Sequence, residues 1–282
     1  MFRFVFIIFT LVKKHNNMKQ VSLLIVLMVM TLNGAFAQKK IKTINSWNKN
    51  QVIAHRGAWK KNNLPENSIA SLKEAIRIGC FGSEFDVHMT LDSVLVVNHD
   101  PDFQGMHIEK STYKELLGKK LSNGEGIPTL EAYLKAGMKQ KTTRLILEVK
   151  PSKAGAEFDK ILTAKVVAMV HKLNATAWVD YISFSYDILK QVLQIQPDAH
   201  VAYLKGDVSL EKMKQDGFYG ADYNYSVYQK GEWFNKAKAL GLTINAWTVN
   251  AEADMKWLLD NKVEFITTNE PELLFEVIKN HK

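Results

Sequence analysis

Residues 51–79 read "QVIAHRGAWKKNNLPENSIASLKEAIRIG", and their reading decides the fold. The run "QVIAH" (51–55) is a short strand. It ends in His55 and Arg56, two potential cations, and Gly57. Pro65-Glu66-Asn67 then leads into a helix, and the plainest reading of Asn67 there is an N-cap. Apolar Ile69, Leu72 and Ile76 recur at three- and four-residue steps, and Gly79 stops the pattern.

The same strand–helix unit recurs along the chain. After "QVIAH" the strands are "GSEFDVHM" (82–89), "RLILEVK" (144–150), "YISFS" (181–185), "HVAYLK" (200–205), "GADYNY" (220–225), "LTINAWTV" (242–249) and "VEFITT" (263–268). Each leads toward a helical segment, so the sheet is parallel. "SVLVVNH" (93–99) adds a local strand after the second. Eight such units are the content of a (β/α)8 TIM barrel in a single domain. An open doubly wound sheet is the competing architecture. The chain has no G-x-G-x-x-G and no G-x-x-x-x-G-K to support it.

In a barrel of this kind, chemistry sits at the C-terminal ends of the strands. Here those ends carry His55-Arg56, Glu84-Phe85-Asp86, His99-Asp100, Glu148-Val149-Lys150 and Trp247. Glu84 and Asp86 are two apart in a strand and leave the same face; Glu148 and Lys150 repeat the arrangement. Three carboxylates at one rim repel unless they share a positive partner, and hard oxygen ligands fit Mg²⁺ or Ca²⁺. Histidine titrates near neutral pH and suits proton transfer. Arg56 and Lys150 beside such a site fit an anionic substrate group, most simply a phosphate. Taken singly, each residue has a plainer reading. A strand-end carboxylate is more often a salt-bridge partner, His99 before Asp100-Pro101 a turn residue, Trp247 barrel filling and His88 a structural neighbour. Their convergence at one rim carries the functional reading. His107, His171, His200 and His281 are read as scattered and without partners.

The first 37 residues stand apart, with no Asp or Glu and two apolar runs. "MKQVSLLIVLMVMTLNGAFAQ" (18–38) has a basic start at Lys19, an apolar core from Val21 to Met30 and small residues at Ala35 and Ala37. This is the pattern of a signal peptide starting at Met18 and cleaved after Ala37. Its core is short against the ~20 apolar residues of a membrane span. The reading makes residues 1–37 a leader and 38–282 the barrel, exported to the periplasm with no stable membrane span. The formal charge is +8; of the 37 basic residues four (Arg3, Lys13, Lys14, Lys19) lie in the leader, which leaves 33 against 29 acidic, or +4. That balance and the lack of a Lys/Arg run argue against a nucleic-acid partner. One cysteine, Cys80, rules out an intrachain disulfide and a multi-thiolate zinc site.

"HRGAW…LPENS", "EFDVHMTLDSVLVVNHD", "LILEVK", "INAWTVN" and "FITTNEP", in order from about Val52 to Pro271, resemble the glycerophosphodiester phosphodiesterase family. The resemblance implies a barrel that hydrolyses glycerophosphodiesters to glycerol 3-phosphate and an alcohol with one divalent cation, Ca²⁺ or Mg²⁺. By position it makes His55 and His99 the catalytic pair and Glu84, Asp86 and Glu148 the metal ligands. Arg56 and Lys150 match the basic residues around the phosphate. Glu66 falls near the site, and Trp247 matches a wall of the substrate pocket. Two features depart from the pattern. "PDFQGMHIEKSTYKELLG" (101–118) is short and lacks an Arg-Thr-Thr stretch at the substrate entrance, and Asn269 stands where Asp is commoner. A lysophospholipase D or sphingomyelinase D-like enzyme on the same barrel, and a non-catalytic exported phosphodiester-binding protein, stay open as alternatives.

Overall fold

Strand β1 (Val52–Ala54) is three residues long and wholly buried. It leads into helix α1 (Ile69–Arg77), which starts at Ser68 rather than Asn67. The Ser68 hydroxyl accepts from the Ser71 amide, and the Ser71 hydroxyl accepts from the Ser68 amide, a closed capping box. Asn67 is drawn away because its side chain is engaged elsewhere, as described below. Gly57, at φ 82°, lies so close to α1 that a Cβ there would stand 2.5 Å from the Ser71 hydroxyl. Only glycine fits that approach.

The computed structural model describes residues 44–281. The leader, its start at Met18 and its cleavage after Ala37 lie outside them. After α1 come β2 (Gly82–Met89), β3 (Leu95–Val97) and a small hairpin of β4 (Asp102–Phe103) and β5 (Met106–His107). Helices α2 (Tyr113–Leu116) and α3 (Leu130–Gly137) precede β6 (Arg144–Val149) and α4 (Ala156–Lys172). The chain continues through β7 (Val179–Ser183), α5 (Tyr186–Ile195), β8 (Val201–Tyr203), α6 (Leu210–Gln215) and β9 (Gly220–Asn224). It ends with α7 (Tyr225–Tyr228), α8 (Trp233–Leu240), β10 (Thr243–Trp247), α9 (Glu252–Asp260), β11 (Phe265–Thr268) and α10 (Pro271–Asn280). The fourth barrel strand begins at Val179, two residues before the expected start at Tyr181.

The sheet runs β1-β11-β10-β9-β8-β7-β6-β2-β3, and β1 also pairs with β2. That pairing closes eight parallel strands into a barrel, with β3 antiparallel on the edge of β2. All eight residues of β2 are buried, as a strand covered on both faces requires. Phe85 turns outward and stacks on Tyr133 of α3 at 4.3 Å. Ile53, Ile146, Ile182 and Leu204 fill the barrel interior. The segment 98–128 packs with Val96 of β3 into a small core of its own around Phe103, Ile108, Leu116 and Ile127. Among the described residues no helix is long and apolar enough to cross a membrane.

At the N-terminal base the structure corrects one expectation. His200 is partnered: its Nδ1 lies 3.0 Å from Asp180 Oδ1, and its ring stacks on Tyr219 at 4.0 Å. Arg144 holds the same carboxylate and sits over the Trp47 ring at 5.0 Å. His171 and His281 also find partners, in Gln196 and Asp260.

Candidate active site

The register of β2 against β6 sets Asp86 beside Glu148 and Glu84 beside Ile146. Strand alternation then sends Glu84, Asp86 and Glu148 into the barrel mouth. Each offers an oxygen within 4.8 Å of the others. All three are buried, at 2%, 0% and 6% exposure. Among the described residues Glu84 Oε1, Asp86 Oδ1 and Glu148 Oε1 have no hydrogen-bond partner. Lys150 Nζ lies 3.2 Å from Asp86 Oδ1 and 2.9 Å from Glu148 Oε1, near enough to ion-pair but not aligned for a hydrogen bond. Buried, converging, unsatisfied carboxylate oxygens are the donor set of one hard divalent cation.

The electrostatics follow from burial and crowding. Burial and the neighbouring Asp86 and Glu148 push the Glu84 carboxyl well above the ordinary range. Burial and Asp86 push Glu148 up to about 8. Asp86 goes the other way: burial opposes its charge, but Lys150, His99 and the Asn67 amide outweigh it and hold it below 3.8. Lys150 is likewise held above its ordinary value, because Asp86 and Glu148 outweigh the burial that works against it.

Arg56 adopts a left-handed backbone at φ 57°. That conformation points its amide at Glu84 Oε2, 2.8 Å away. Its guanidinium turns to Glu66, with Nη1 at 2.9 and 3.0 Å from the two carboxylate oxygens, while Nε stands 4.0 Å from Asp86 Oδ2. Glu66 therefore reaches the site through Arg56. Asn67 grips Asp86 at both ends, its Nδ2 donating to Oδ2 at 2.8 Å and its Oδ1 accepting the Asp86 amide at 3.1 Å. This double bond to β2 is why Asn67 leaves the cap to Ser68.

His55 stands at the end of β1, with Nε2 3.9 Å from Glu84 Oε2. Nδ1 is 2.7 Å from Asn269 Oδ1. With that oxygen as acceptor, Nδ1 carries the proton and Nε2 keeps its lone pair. Burial and the adjacent Arg56 push the His55 pKa down to about 4. His99, on the excursion after β3, is a third exposed and places Nδ1 2.7 Å from Asp100 Oδ1. His88 Nε2 lies 3.1 Å from the His99 carbonyl oxygen and ties that loop to β2.

A cavity of about 120 Å³ joins these groups, lined by His55, Arg56, Glu84, His99, Glu148 and, on the far wall, Trp247. Trp247 Nε1 donates to the Asp222 carbonyl at 2.7 Å, and its ring meets Phe184 edge-on at 5.4 Å. The expected site residues are thus brought to one rim: His55, His99, Glu84, Asp86, Glu148, Arg56, Lys150 and Trp247, with Glu66 behind Arg56. The sequence marks Asn269 only as a departure from the family pattern and gives Asp222 no role. For Asn269 the signal was its place one residue after the last strand. For Asp222 it was a lone acid inside "GADYNY".

Known proteins resemble this chain in sequence and fold. Residues 55–273 match the glycerophosphoryl diester phosphodiesterase family. A crystal structure of a glycerophosphodiester phosphodiesterase from Parabacteroides distasonis is 44% identical, with a TM-score of 0.79 over 83% of this chain and 98% of that one. A glycerophosphodiester phosphodiesterase of Caldanaerobacter subterraneus is 28% identical over 82% of this chain and 98% of its own length. An Oleispira antarctica phosphodiesterase, solved in complex with the product sn-glycerol-3-phosphate, shares the fold at 23% identity and a TM-score of 0.71, over 82% of this chain and 97% of that one. With the family matched from His55 at the barrel rim into the last helix, the chain belongs to the glycerophosphoryl diester phosphodiesterase family.

Proposed function

We propose that this chain is a cation-dependent enzyme that hydrolyses glycerophosphodiesters to glycerol 3-phosphate and an alcohol. The observation that carries the reading is the cavity shared by His55, His99, Glu84 and Glu148, with Asp86 and Lys150 at its edge. The product bound in the Oleispira antarctica phosphodiesterase supports the same substrate class. Glu84, Asp86 and Glu148 would hold one Ca²⁺ or Mg²⁺. When bound, such a cation neutralises phosphate charge and acidifies a neighbouring hydroxyl.

The residues of the chain do the rest. His55, neutral at pH 7 because its pKa is pushed down to about 4, takes the proton of the glycerol 2-hydroxyl at Nε2. Asn269 holds the ring in that tautomer. The 2-oxygen forms a bond to phosphorus as the bond to the departing alcohol breaks, and His99 gives that oxygen its proton. Water then opens the cyclic phosphate. His99 takes the water proton and His55 returns one to the 2-oxygen, so both histidines end as they began. Lys150 and Arg56 stabilise the charge that grows on the phosphate oxygens. The leader reading adds export to the periplasm.

Release of glycerol 3-phosphate from glycerophosphocholine, followed with Ca²⁺, with Mg²⁺ and with chelator, tests the reading. Activity that needs the cation and drops at least about a hundredfold in His55→Ala is expected. Turnover indifferent to chelation, or near normal in that variant, sinks it.

A further inference from the structure

Across the barrel from Glu84 and Asp86 stands a carboxyl that the proposed chemistry does not use. Around the closed sheet the strands run β1, β2, β6, β7, β8, β9, β10, β11, so β9 is four strands from β2 in either direction. From β9, Asp222 lines the same cavity as His55, Glu84, His99 and Glu148. The residue is 2% exposed, and its Oδ1 has no hydrogen-bond partner among the described residues. A buried carboxyl oxygen left without a donor is costly. The backbone around it is held firmly, because its carbonyl receives the Trp247 indole N–H at 2.7 Å.

The two ends of the cavity differ in chemistry. The β2 end is charged, with three carboxylates and the cations Arg56 and Lys150. The β9 end offers one carboxyl near aromatic Trp247 and Phe184; among the described residues no cation acts on that carboxyl, and Lys150 Nζ comes only as near as 6.0 Å over the Phe184 ring. Burial, offset only in part by Asn245, pushes that carboxyl up to about 7. A phosphate belongs at the first end, and an uncharged hydroxyl suits the second. Size separates the two halves of the substrate in the same way. A cavity of about 120 Å³ has room for a small polyol, whereas an alcohol of variable size must extend to solvent past the partly exposed His99.

We propose that Asp222 recognises the glycerol unit, its carboxyl hydrogen-bonding the terminal hydroxyl remote from the phosphate. The enzyme would thereby reject phosphodiesters of the corresponding deoxygenated diol. This rests on the glycerophosphodiester reading of the site.

Calorimetric binding of two probes in the presence of Mg²⁺ tests it: glycerol 3-phosphate, and propane-1,2-diol 1-phosphate, which lacks only that hydroxyl. The wild-type protein is expected to bind the first about tenfold more tightly. Asp222→Leu, or Asp222→Ala should leucine not fold, brings the ratio to about one, while Asp222→Asn keeps most of it. The matching phosphocholine diesters should show the same ratio in kcat/KM. A wild-type ratio near one, which needs no variant to fold, overturns the proposal. So does a ratio that Asp222→Leu leaves unmoved with a native circular dichroism spectrum. Discrimination in binding without any turnover would sink the catalytic reading and leave the hydroxyl assignment standing. Turnover without discrimination would do the reverse.

Discussion

Asp180 and Glu148 sit on neighbouring strands of one barrel, yet their surroundings are opposite in kind. At the base, Asp180 receives Arg144 Nε at 2.6 Å, Arg144 Nη2, and His200 Nδ1 at 3.0 Å. Each of its oxygens has a donor. At the rim, Asp86 and Glu148 share Lys150, Glu84 has only the Arg56 amide and His55 nearby, and the Arg56 Nη1 is committed to Glu66. Three carboxylates against that one ammonium leave a formal charge of minus two, equal and opposite to a divalent cation. Folding satisfies the buried charge that it needs for itself; charge that it leaves unsatisfied marks where a ligand acts.

The strongest way to break this comparison is to remove a rim carboxylate. Glu84→Gln should cost at least about a thousandfold in kcat/KM, because the cation site and the contact to His55 fail together. It should not cost the fold. In the wild-type protein, saturating Ca²⁺ at roughly a hundred times its dissociation constant should raise stability by about 2.7 kcal/mol. In Glu84→Gln the thermal midpoint should scarcely respond to the cation. A variant that keeps both turnover and the cation-linked shift would show that Glu84 serves neither the cation nor the chemistry.

The base predicts the converse. Arg144→Met leaves the Asp180 carboxylate with His200 alone. It should destabilise by about 2–3 kcal/mol in urea unfolding, the low end for a broken ion pair because Asp180 keeps 16% of its side chain exposed. Its kcat per folded molecule should be unchanged. A loss of kcat with stability intact would mean that the two ends are not separate in function.

What could be read from the chain follows the same division. Period-two placement in strands makes Glu84 and Asp86, or Glu148 and Lys150, legible, since both members of each pair leave one face. The strand–helix alternation makes the barrel legible for the same reason. Asn67 was misread because its partner Asp86 is 19 residues away and on another element. A local rule assigned it the cap, and a tertiary contact took it. His200 looked solitary because Asp180 approaches from the adjacent strand in the barrel. Asp222 was invisible for a further reason. What singles it out is the lack of a donor at Oδ1 and a place on the cavity wall, and both exist only once the barrel closes.

The smallest effect expected is in acid, and it bears on the base alone. Burial works to raise the Asp180 pKa, but Arg144 and His200 outweigh it and hold the carboxyl below its ordinary 3.8. A carboxylate whose folded pKa lies below its unfolded one contributes stability above the unfolded value. It loses that contribution as pH falls through the folded value. Asp180→Asn removes the titrating group and leaves the other acids to titrate as before. The urea midpoints of wild type and variant should therefore differ most above the ordinary aspartate range and converge as pH falls below it. Only the gap between the two curves is informative, because every other native carboxylate moves both together. A gap of constant width down to the lowest pH would mean that the Asp180 charge does nothing for the base. The satisfied network would then owe its stability to packing of Trp47 on Arg144 and of Tyr219 on His200, and the contrast with the rim would be one of geometry rather than of charge.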